Sequence, residues 1–449
     1  MNGRDTKIII TLKITGFTSE AAGISRTENG VVFVQGALPG EIVNAEIVSR
    51  KKDFMIADTV SIIEPSSLRV APKCKHYGRC GGCQLQHASY EAQLNLKAGI
   101  VRDAMTRIGG FEKLQALKCE ASPKFWGYRN KASFPVQNLN GKIATGFYRA
   151  GTHRLELIKQ CPVNAPKINE MYGKILEALS KNRYPFDGYD ERSNTGKLRH
   201  IIARTGLNTG ESLLSFVING KLSNKNIKAL ISLGSSAQPD TLTINQNSKP
   251  GNVILGERTE NLSGNGTISE SLGGKYRLIF DTTSFFQVNT GQAENLFAYS
   301  SGLSNGAKNV LELYSGTGSL TCYLAANSES VTSVEEWRSA VRMAAKNLRA
   351  NGFENVNTLC GKSEEIISEL DEKFDAVVLD PPRDGCERSV LEALNRLRIP
   401  RVIYVSCNPA TLARDCKILS GHGYKLQSLK AFDMFPQTAH VETVALMTK

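Results

Sequence analysis

Residues 309–320, NVLELYSGTGSL, contain the strongest fold signal of this 449-residue chain. An apolar run of strand length leads into a glycine-rich turn, and the residues after the turn follow a helical pattern. Gly316 and Gly318 have no Cβ, so the backbone there can approach a bound molecule closely. A strand, a glycine turn and a helix in this order are typical of the unit that opens a doubly wound α/β sheet.

The alternation of strands and helices continues toward the C-terminus. It predicts a mostly parallel sheet with helices on both faces, formed by residues 273–449. Further strands are predicted at 330–335, 356–360, 376–380 and 401–406, and helices at 318–326 and 338–351.

Two carboxylates are predicted at the edge of this sheet where ligands bind. Glu335 ends the second strand about twenty residues after the glycine turn, where a carboxylate can accept hydrogen bonds from ribose hydroxyls. Asp380 ends a later strand, and the prolines of DPPR (380–383) make that strand end rigid. The glycine turn alone suits a dinucleotide, S-adenosylmethionine or no ligand, and the absence of a full GxGxxG motif there counts against NAD. The three features together look like a Class I S-adenosylmethionine-dependent methyltransferase.

A cysteine and a glutamate are predicted near the same edge. Cys407 follows the strand 401–406, and Asn408-Pro409 ends that strand beside the thiol, while Glu442 lies next to a terminal strand. Methylation of carbon 5 of uracil needs such a pair. A thiolate adds to carbon 6 and makes carbon 5 nucleophilic, and a base later removes the proton from carbon 5 so that the thiol leaves. A buried structural thiol and a surface carboxylate are the alternative interpretations.

The N-terminal part has a different pattern. Residues 7–63 contain four or five short apolar segments separated by glycine and proline turns, which predicts a small barrel of the oligonucleotide-binding (OB) type. Apolar residues recur at helical spacing within 90–109, which predicts a helix there that Gly109-Gly110 ends. A helix spanning 89–118 is expected to pack on the methyltransferase domain. Residues 119–270 are predicted to be a mixed α/β region.

The chain is basic, with 55 Lys and Arg against 43 Asp and Glu and a net charge of +12. Residues 65–160 contain 16 basic and five acidic residues, whereas residues 1–64 contain seven and eight. A localised basic region favours contact with a polyanion such as RNA. Aromatic residues among these cations are candidates to stack on unpaired bases, with about half of them expected in the core instead. They are Trp126, Tyr128, Phe134, Phe147 and Tyr148.

No apolar run approaches the ~20 residues of a membrane span. The first thirteen residues have no pattern of a secretory signal. The cytoplasm is therefore the expected location.

Three cysteines lie within ten residues, at Cys74, Cys80 and Cys83, in a glycine-rich loop. Clustered thiols in a chain without disulfide density predict a metal site. Zinc and a four-iron cluster both suit this spacing, which does not distinguish them. His76 and His87 flank the cluster, and we expect structural or RNA contacts from them rather than ligation.

Taken together, these motifs resemble the RNA uracil-5-methyltransferase family, and most of all the bacterial 23S rRNA uracil-5-methyltransferases. The resemblance covers essentially the whole chain, and its N-terminal part is similar to the small RNA-binding barrel called the TRAM domain. The motifs that carry it are GALPGE, CKHYGRCGGCQLQHASYEAQLNLK, YRNKASFPV, GFYRAGTH, CPVN, SFFQVNTGQAENL, ELYSGTGSL, VLDPPRDG, YVSCNPATLARD and FPQTAHVET.

The resemblance implies an α/β protein of three domains. They are a TRAM/OB-like barrel at 1–64, a central α/β domain with an iron–sulfur loop at 65–272, and a Rossmann-like Class I methyltransferase domain at 273–449. It also implies that Cys407 is the nucleophile and Glu442 the base. The expected site of S-adenosyl-L-methionine comprises Gln287, Tyr314, Gly316, Gly318, Ser319, Glu335 and Asp380, and the expected ligands of a [4Fe–4S] cluster are Cys74, Cys80, Cys83 and Cys161.

Two positions depart from the family pattern. Lys362 stands where Asp or Asn is common on the adenine side, which leaves its role as a ligand open, and Tyr314 stands where Phe is frequent. The implied role of the cluster is to hold a loop that presents RNA-binding side chains, rather than redox catalysis.

The resulting expectation is methyl transfer to carbon 5 of a specific uridine in 23S rRNA. The protein would act as a monomer without a membrane, on a base flipped out of its stack. A tRNA uridine-54 methyltransferase of the same family, an amino-group methyltransferase and an inactive RNA-binding iron–sulfur protein are the alternatives. Full activity after Cys407→Ala would favour the amino-group enzyme, and absence of cofactor binding would favour the inactive protein.

Overall fold

The computed structural model describes residues 8–112, 114, 117–181 and 183–449. Residues 1–7 of the predicted barrel, and residues 113, 115 and 116 of the predicted 89–118 helix, lie outside the described residues. No helix in the described part of the chain is long and apolar enough to cross a membrane.

The N-terminal region forms one six-stranded sheet with a core of its own. Its strand order is β1-β5-β6-β4-β3-β2, and only the β4–β6 pair is parallel. Inward side chains alternate with outward ones, so that Val32 and Val34 of β4 are buried while their neighbours are not. The strands are β1 (Ile9–Lys13), β2 (Gly16–Phe17), β3 (Ala22–Thr27), β4 (Gly30–Gln35), β5 (Ile42–Arg50) and β6 (Phe54–Glu64).

Helix α1 (Tyr90–Arg107) begins where Ser89 caps it, since the Ser89 side chain accepts a hydrogen bond from the backbone N–H of Ala92. The helix predicted over 90–109 is confirmed, and the expected span 89–118 is too long. The chain leaves the helix at Gly109-Gly110, and Gly110 has a positive φ of 77° that favours glycine. Beyond the helix, residues Cys119–Glu120 form a short strand, β7.

The central region contains a second six-stranded sheet, in the order β15-β14-β13-β12-β8-β9. Its two middle strands are buried along their whole length. The two helices of this region pack on one face of the sheet, and on the other face Arg204 packs against Phe280 of the C-terminal region. The elements are β8 (Lys131–Leu139), β9 (Lys142–Thr145), β10 (Phe147–Tyr148), β11 (Leu155–Glu156), α2 (Pro166–Lys181), β12 (Leu198–Thr205), β13 (Ser212–Ile218), α3 (Asn224–Ser235), β14 (Thr241–Gln246) and β15 (Arg258–Ser263).

The C-terminal region confirms the predicted doubly wound sheet. Its elements are β16 (Ile268–Leu272), β17 (Tyr276–Phe280), α4 (Thr290–Gly302), β18 (Asn309–Leu313), α5 (Ser319–Ala325), β19 (Ser330–Glu335), α6 (Arg338–Ala350), β20 (Val356–Cys360), α7 (Ser363–Glu369), β21 (Ala376–Leu379), α8 (Arg388–Arg396), β22 (Arg401–Ser406), α9 (Pro409–Gly421), β23 (Lys425–Phe432) and β24 (Glu442–Thr448).

The order of these strands creates a crevice at the carboxyl edge of the sheet. Eight strands run β20-β19-β18-β21-β22-β24-β23-β7, of which β20 to β22 are mutually parallel and β24 is antiparallel to both of its neighbours. The chain proceeds outward from β18 to β20 and then returns to the other side of β18 with β21. Ligands bind in the crevice at such a reversal, here between the loops that follow β18 and β21.

Candidate active site

The glycine turn after β18 leaves room for a ligand. Tyr314, Gly316 and Gly318 all have positive φ angles, of 65°, 58° and 79°. A Cβ built on Gly316 would meet no atom within 4 Å, so the backbone there borders open space. A bulky residue in the left-handed region is costly, and such conformations cluster at binding sites. The conformation of Tyr314 makes this turn a candidate binding site, a signal that the sequence pattern did not contain.

Glu335 lies beside the turn, as predicted from its position at the end of β19. Its carboxylate is buried, with only 7% of the residue exposed, and accepts hydrogen bonds from the backbone N–H groups of Gly316 and Trp337, both at 2.9 Å. These bonds fix the carboxylate at the edge of the crevice. Its remaining lone pairs are the acceptors that ribose hydroxyls require.

The other predicted cofactor residues have different surroundings. Ser319 is buried at the start of α5, and Gln287 is buried in the segment before α4, where its backbone carbonyl accepts a hydrogen bond from Asn130. The side chain of Thr317, in the turn, donates to the carbonyl of Phe285 at 3.1 Å and so connects the turn to the segment of Gln287. Lys362 is exposed at the start of α7.

Cys407 and Glu442 meet at the same end of the sheet. Ser406 of β22 pairs with Thr443 of β24, which makes Cys407 and Glu442 the next positions across the two antiparallel strands. Glu442 is buried, with 3% of the residue exposed, and Cys407 is half-buried. The thiol and the carboxyl group therefore lie close together at the carboxyl edge, where the Glu442 charge acts on Cys407.

Three acidic groups influence one another at this edge. Burial raises the pKa of Asp380 to about 7. Burial, and secondarily the Asp380 charge, raise the pKa of Glu442 to about 8. Burial, with the charges of Glu442 and Asp380, raises the pKa of the Cys407 thiol to about 11. Neighbouring titratable groups with displaced pKa values in a cleft are typical of catalytic sites.

Arg383, the last residue of the DPPR motif, also belongs to this site, although the sequence pattern predicted no role for it. Its charge opposes the rise in pKa at both Cys407 and Glu442. Its backbone carbonyl accepts hydrogen bonds from the Asn408 side chain at 3.0 Å and from Thr411 at 3.2 Å, so the loop after β21 is attached to the start of α9. A cation directly after Asp-Pro-Pro was the available signal.

The four predicted metal-binding cysteines lie near one another. The thiols of Cys80, Cys83 and Cys161 have raised pKa values, first because of burial and then because of the other thiols of the set, Cys74 among them. Within the described ranges, no group of three or more His, Cys, Asp and Glu residues has the arrangement of a metal-ion site. Backbone N–H groups of Gly82 and Val163 donate to two of these thiols.

The cysteine loop is also fixed by contacts outside the thiols. The backbone N–H of Gly81 donates to the carbonyl of Tyr148, and His76 contacts the buried carboxylate of Glu156 at 2.9 Å. His87 is buried against Tyr77. Both histidines thus have structural contacts.

Of the aromatic candidates for RNA stacking, Tyr128 and Phe134 are each only 1% exposed and cannot stack on a base. Phe134 packs against Tyr172 in the central core because it alternates to the inner face of β8. Trp126 is half-buried and lines a cavity of about 520 Å³ together with Lys73, whose ammonium lies 5.1 Å from the ring centroid. An aromatic ring beside a cation in an open cavity suits an unpaired base.

Two family models match this chain. Residues 89–449 match the family described as tRNA (Uracil-5-)-methyltransferase, and residues 9–60 match the TRAM domain.

Relatives align over nearly the whole chain. It is 37% identical to an uncharacterized RNA methyltransferase of Thermosynechococcus vestitus, over 98% of both chains. It is 38% identical to an uncharacterized RNA methyltransferase of Clostridium tetani, over 97% of this chain and 95% of the relative. Among solved structures, the tRNA (uracil-54, C5)-methyltransferase of Pyrococcus abyssi in complex with S-adenosyl-L-homocysteine is similar with a TM-score of 0.78 and 28% identity, over 98% of this chain and 100% of that one.

Proposed function

Because this chain belongs to the tRNA (uracil-5-)-methyltransferase family of S-adenosylmethionine-dependent RNA methyltransferases, we propose that it methylates carbon 5 of a specific uridine in 23S rRNA. The observation that carries this proposal is the meeting of Cys407, Glu442 and Asp380 at the carboxyl edge, next to the glycine turn. A nucleophile, a base and a cofactor crevice at one edge are the three parts that this reaction needs.

The proposed steps follow from these groups. The Cys407 sulfur adds to carbon 6 of the uracil, and the negative charge that develops on the ring makes carbon 5 nucleophilic. S-adenosylmethionine supplies the methyl group that carbon 5 takes up. Glu442 then accepts the proton from carbon 5, the carbon 5–carbon 6 double bond re-forms, and the bond between carbon 6 and sulfur breaks.

The crevice suits S-adenosylmethionine. The open space at Gly316 lets a ligand approach the backbone, and the fixed carboxylate of Glu335 offers acceptors to a ribose. We assign the cofactor contacts to the predicted set, with Lys362 left out because its exposed ammonium cannot accept a hydrogen bond from an adenine amino group.

The proposal includes a [4Fe–4S] cluster held by Cys74, Cys80, Cys83 and Cys161. The four neighbouring thiols would hold such a cluster, and the backbone N–H groups that donate to Cys80 and Cys161 would stabilise their thiolates. In this proposal the cluster holds the cysteine loop in its place.

The proposed divisions of the chain are 1–64, 65–272 and 273–449. Helix α1 belongs to the central division by sequence, but its Val101 and Met105 contribute to the same hydrophobic core as the sheet of the last division. The proposed RNA surface includes the TRAM domain and the cavity beside Trp126, which borders the cysteine loop. Cytoplasmic location and a monomeric state complete the proposal.

A tRNA uridine-54 substrate is the second candidate, which the Pyrococcus abyssi structure favours. The resemblance favours rRNA through the cysteine loop, because bacterial tRNA enzymes of this family generally lack such a loop, whereas archaeal tRNA members can carry it.

Mass mapping of 5-methyluridine in rRNA and tRNA from cells that lack the gene tests the substrate. Loss of one 5-methyluridine from 23S rRNA, restored by the wild-type protein and not by Cys407→Ala, is the expected result. Loss confined to tRNA would replace the rRNA proposal, and restoration by Cys407→Ala would refute the covalent mechanism.

A further inference from the structure

The segment 433–441 joins β23 to β24 and leads directly into the proposed base. Seven of its nine residues are buried, although the segment is a loop. A buried loop needs hydrogen-bond partners for its backbone, because water does not reach it. The origin of these partners indicates which parts of the protein determine the position of Glu442.

Gln437 is the most constrained residue of the segment. Its φ of 73° is unfavourable for a residue with a side chain, and only 2% of it is exposed. Its backbone N–H donates to Oε1 of Gln93 at 2.9 Å, and Nε2 of Gln93 donates to Oε1 of Gln437 at 3.1 Å. The two amides therefore form a reciprocal pair between α1 and the segment, which stabilises the unfavourable backbone conformation.

The cysteine loop contacts the same residue. Directly after Cys83, the backbone N–H groups of Gln84 and Leu85 both donate to the carbonyl of Gln437, at 3.0 and 2.9 Å. All polar groups of Gln437 are thus satisfied by the cysteine loop, α1 and the carbonyl of Phe125. The hydrogen bonds at Gln437 therefore link the cysteine loop to the segment that leads into β24.

Further contacts hold the segment on both sides of Gln437. Asp433 forms a fully buried ion pair with Lys97 of α1, and the same ammonium donates to the carbonyl of Phe435 at 3.0 Å. The hydroxyl of Tyr128 donates to the carbonyl of Pro436 at 3.0 Å. The segment is therefore held by residues that precede it by more than 300 positions in the chain.

We infer that Gln437 is a positioning residue for Glu442, and that Gln93 and the cysteine loop act through it on the elimination step. This inference rests on the proposed function, in which Glu442 removes the proton from carbon 5. Glu442 is the first residue of β24 and pairs only with Phe432 of β23. Its backbone position therefore depends also on the 433–441 segment that immediately precedes it. Cys407 is held separately, by the contacts between Asn408 and Arg383.

This separation gives the inference a specific consequence. Loosening the segment should leave addition of the thiol and methyl transfer in place, while proton removal from carbon 5 becomes slow. The bond between the Cys407 sulfur and carbon 6 then persists, and protein stays attached to methylated RNA. A displacement of about 1 Å is enough to lower the rate ~100-fold.

The test uses Gln93→Met, which keeps the size of the side chain and removes its hydrogen bonds to Gln437. Asn245→Leu is the matched control, because Asn245 is also a fully buried amide with a reciprocal backbone pair, to Gly256, but lies in the central sheet. Both variants are incubated with methyl-labelled S-adenosylmethionine and total RNA from cells that lack the gene. Denaturing gels then measure labelled protein–RNA adducts, and Glu442→Gln and Cys407→Ala serve as references.

We expect Gln93→Met to accumulate the labelled adduct as Glu442→Gln does, with kcat lowered ~10-fold or more and the KM for RNA unchanged. Asn245→Leu should give no adduct, even if its stability falls equally. Adduct with Glu442→Gln but none with Gln93→Met would overturn the inference and leave the proposed function standing. Adduct with Asn245→Leu would overturn it as well, because general loosening would then suffice. No adduct with any variant, together with methylation by Cys407→Ala, would instead refute the proposed function.

Discussion

Replacing Glu442 by glutamine should make the protein more stable while it blocks the reaction. The carboxyl group of Glu442 is buried, and its pKa is raised from 4.5 to about 8. Above pH 4.5 the unfolded chain releases this proton and the folded chain keeps it. Folding is therefore coupled to the binding of a proton at Glu442. As a result, the free energy of unfolding falls as the pH rises from about 4.5 to about 8.

The size of the effect follows from this difference in pKa. Each pH unit between 4.5 and 7 costs about 1.4 kcal/mol, so Glu442 should lower the free energy of unfolding at pH 7 by up to about 3 kcal/mol. A glutamine has nearly the same shape and does not titrate. The variant should thus gain little at pH 5 and about 3 kcal/mol at pH 7, and the gain should level off above pH 8.

Urea unfolding of the wild type and of Glu442→Gln between pH 5 and pH 9 measures this gain, because titrating groups that do not interact with Glu442 cancel in the difference; the coupled Asp380 and Cys407 remain in it. Glu41→Gln provides a control of opposite sign. Burial opposes ionisation of Glu41, but Arg69 and two backbone N–H groups outweigh it and lower its pKa. That variant should be destabilised at neutral pH, and its deficit should shrink as the pH falls. A gain for Glu442→Gln that does not change with pH, or a loss at pH 8, would refute the reasoning.

Three further predictions concern RNA binding, the pH dependence of turnover and the N-terminal sheet. Trp126→Ala should weaken RNA binding ~5- to 100-fold, as loss of one stacked base does, without a change in cofactor affinity measured by calorimetry. The rate at saturating substrates should rise with pH through about 8, because Glu442 must be ionised to act as a base; a flat profile would contradict this. Arg69→Met should destabilise the protein by about 3 kcal/mol in chemical unfolding, because the buried carboxylate of Glu41 loses its cation and keeps only two backbone N–H donors, whereas Arg50→Met, at an exposed position, should not.

The doubly wound sheet was predictable because its central strands are buried on both faces. Such strands appear as short apolar runs, and the predicted 401–406 agrees with β22 residue for residue. The edge strand β20 also matches its predicted 356–360, although it is only partly buried. The end of α1 was predictable from Gly109-Gly110, where the helical spacing of apolar residues stops. The longer span 89–118 arose because the residues before β7 contain polar and apolar side chains that suit a helix equally well.

The site was predictable only where function follows from position on a strand. Cys407, Asp380 and Glu335 each follow or end a strand, so the topology brings them to one edge. The partners of Gln437 were not predictable, because Gln93 lies 344 positions away and an amide pair has no local pattern. Phe134 shows the opposite error. Its neighbouring cations suggested that it stacks on an RNA base, but the alternation of side chains along β8 places it in the hydrophobic core.

The proton balance of the proposed site connects its two chemical steps. A thiol with a pKa of about 11 is almost fully protonated at pH 7, so the Cys407 proton needs an acceptor within the pocket as sulfur adds to carbon 6. Asp380, with a pKa of about 7, is partly ionised at that pH, while Glu442, with about 8, is mostly protonated. Asp380 is thus the better acceptor for the thiol proton in the free pocket. Glu442 can act in elimination once it has lost its own proton, and the charge of Arg383 favours that ionised form. In this scheme the two carboxyls serve different steps because their surroundings separate their pKa values, although they share one pocket.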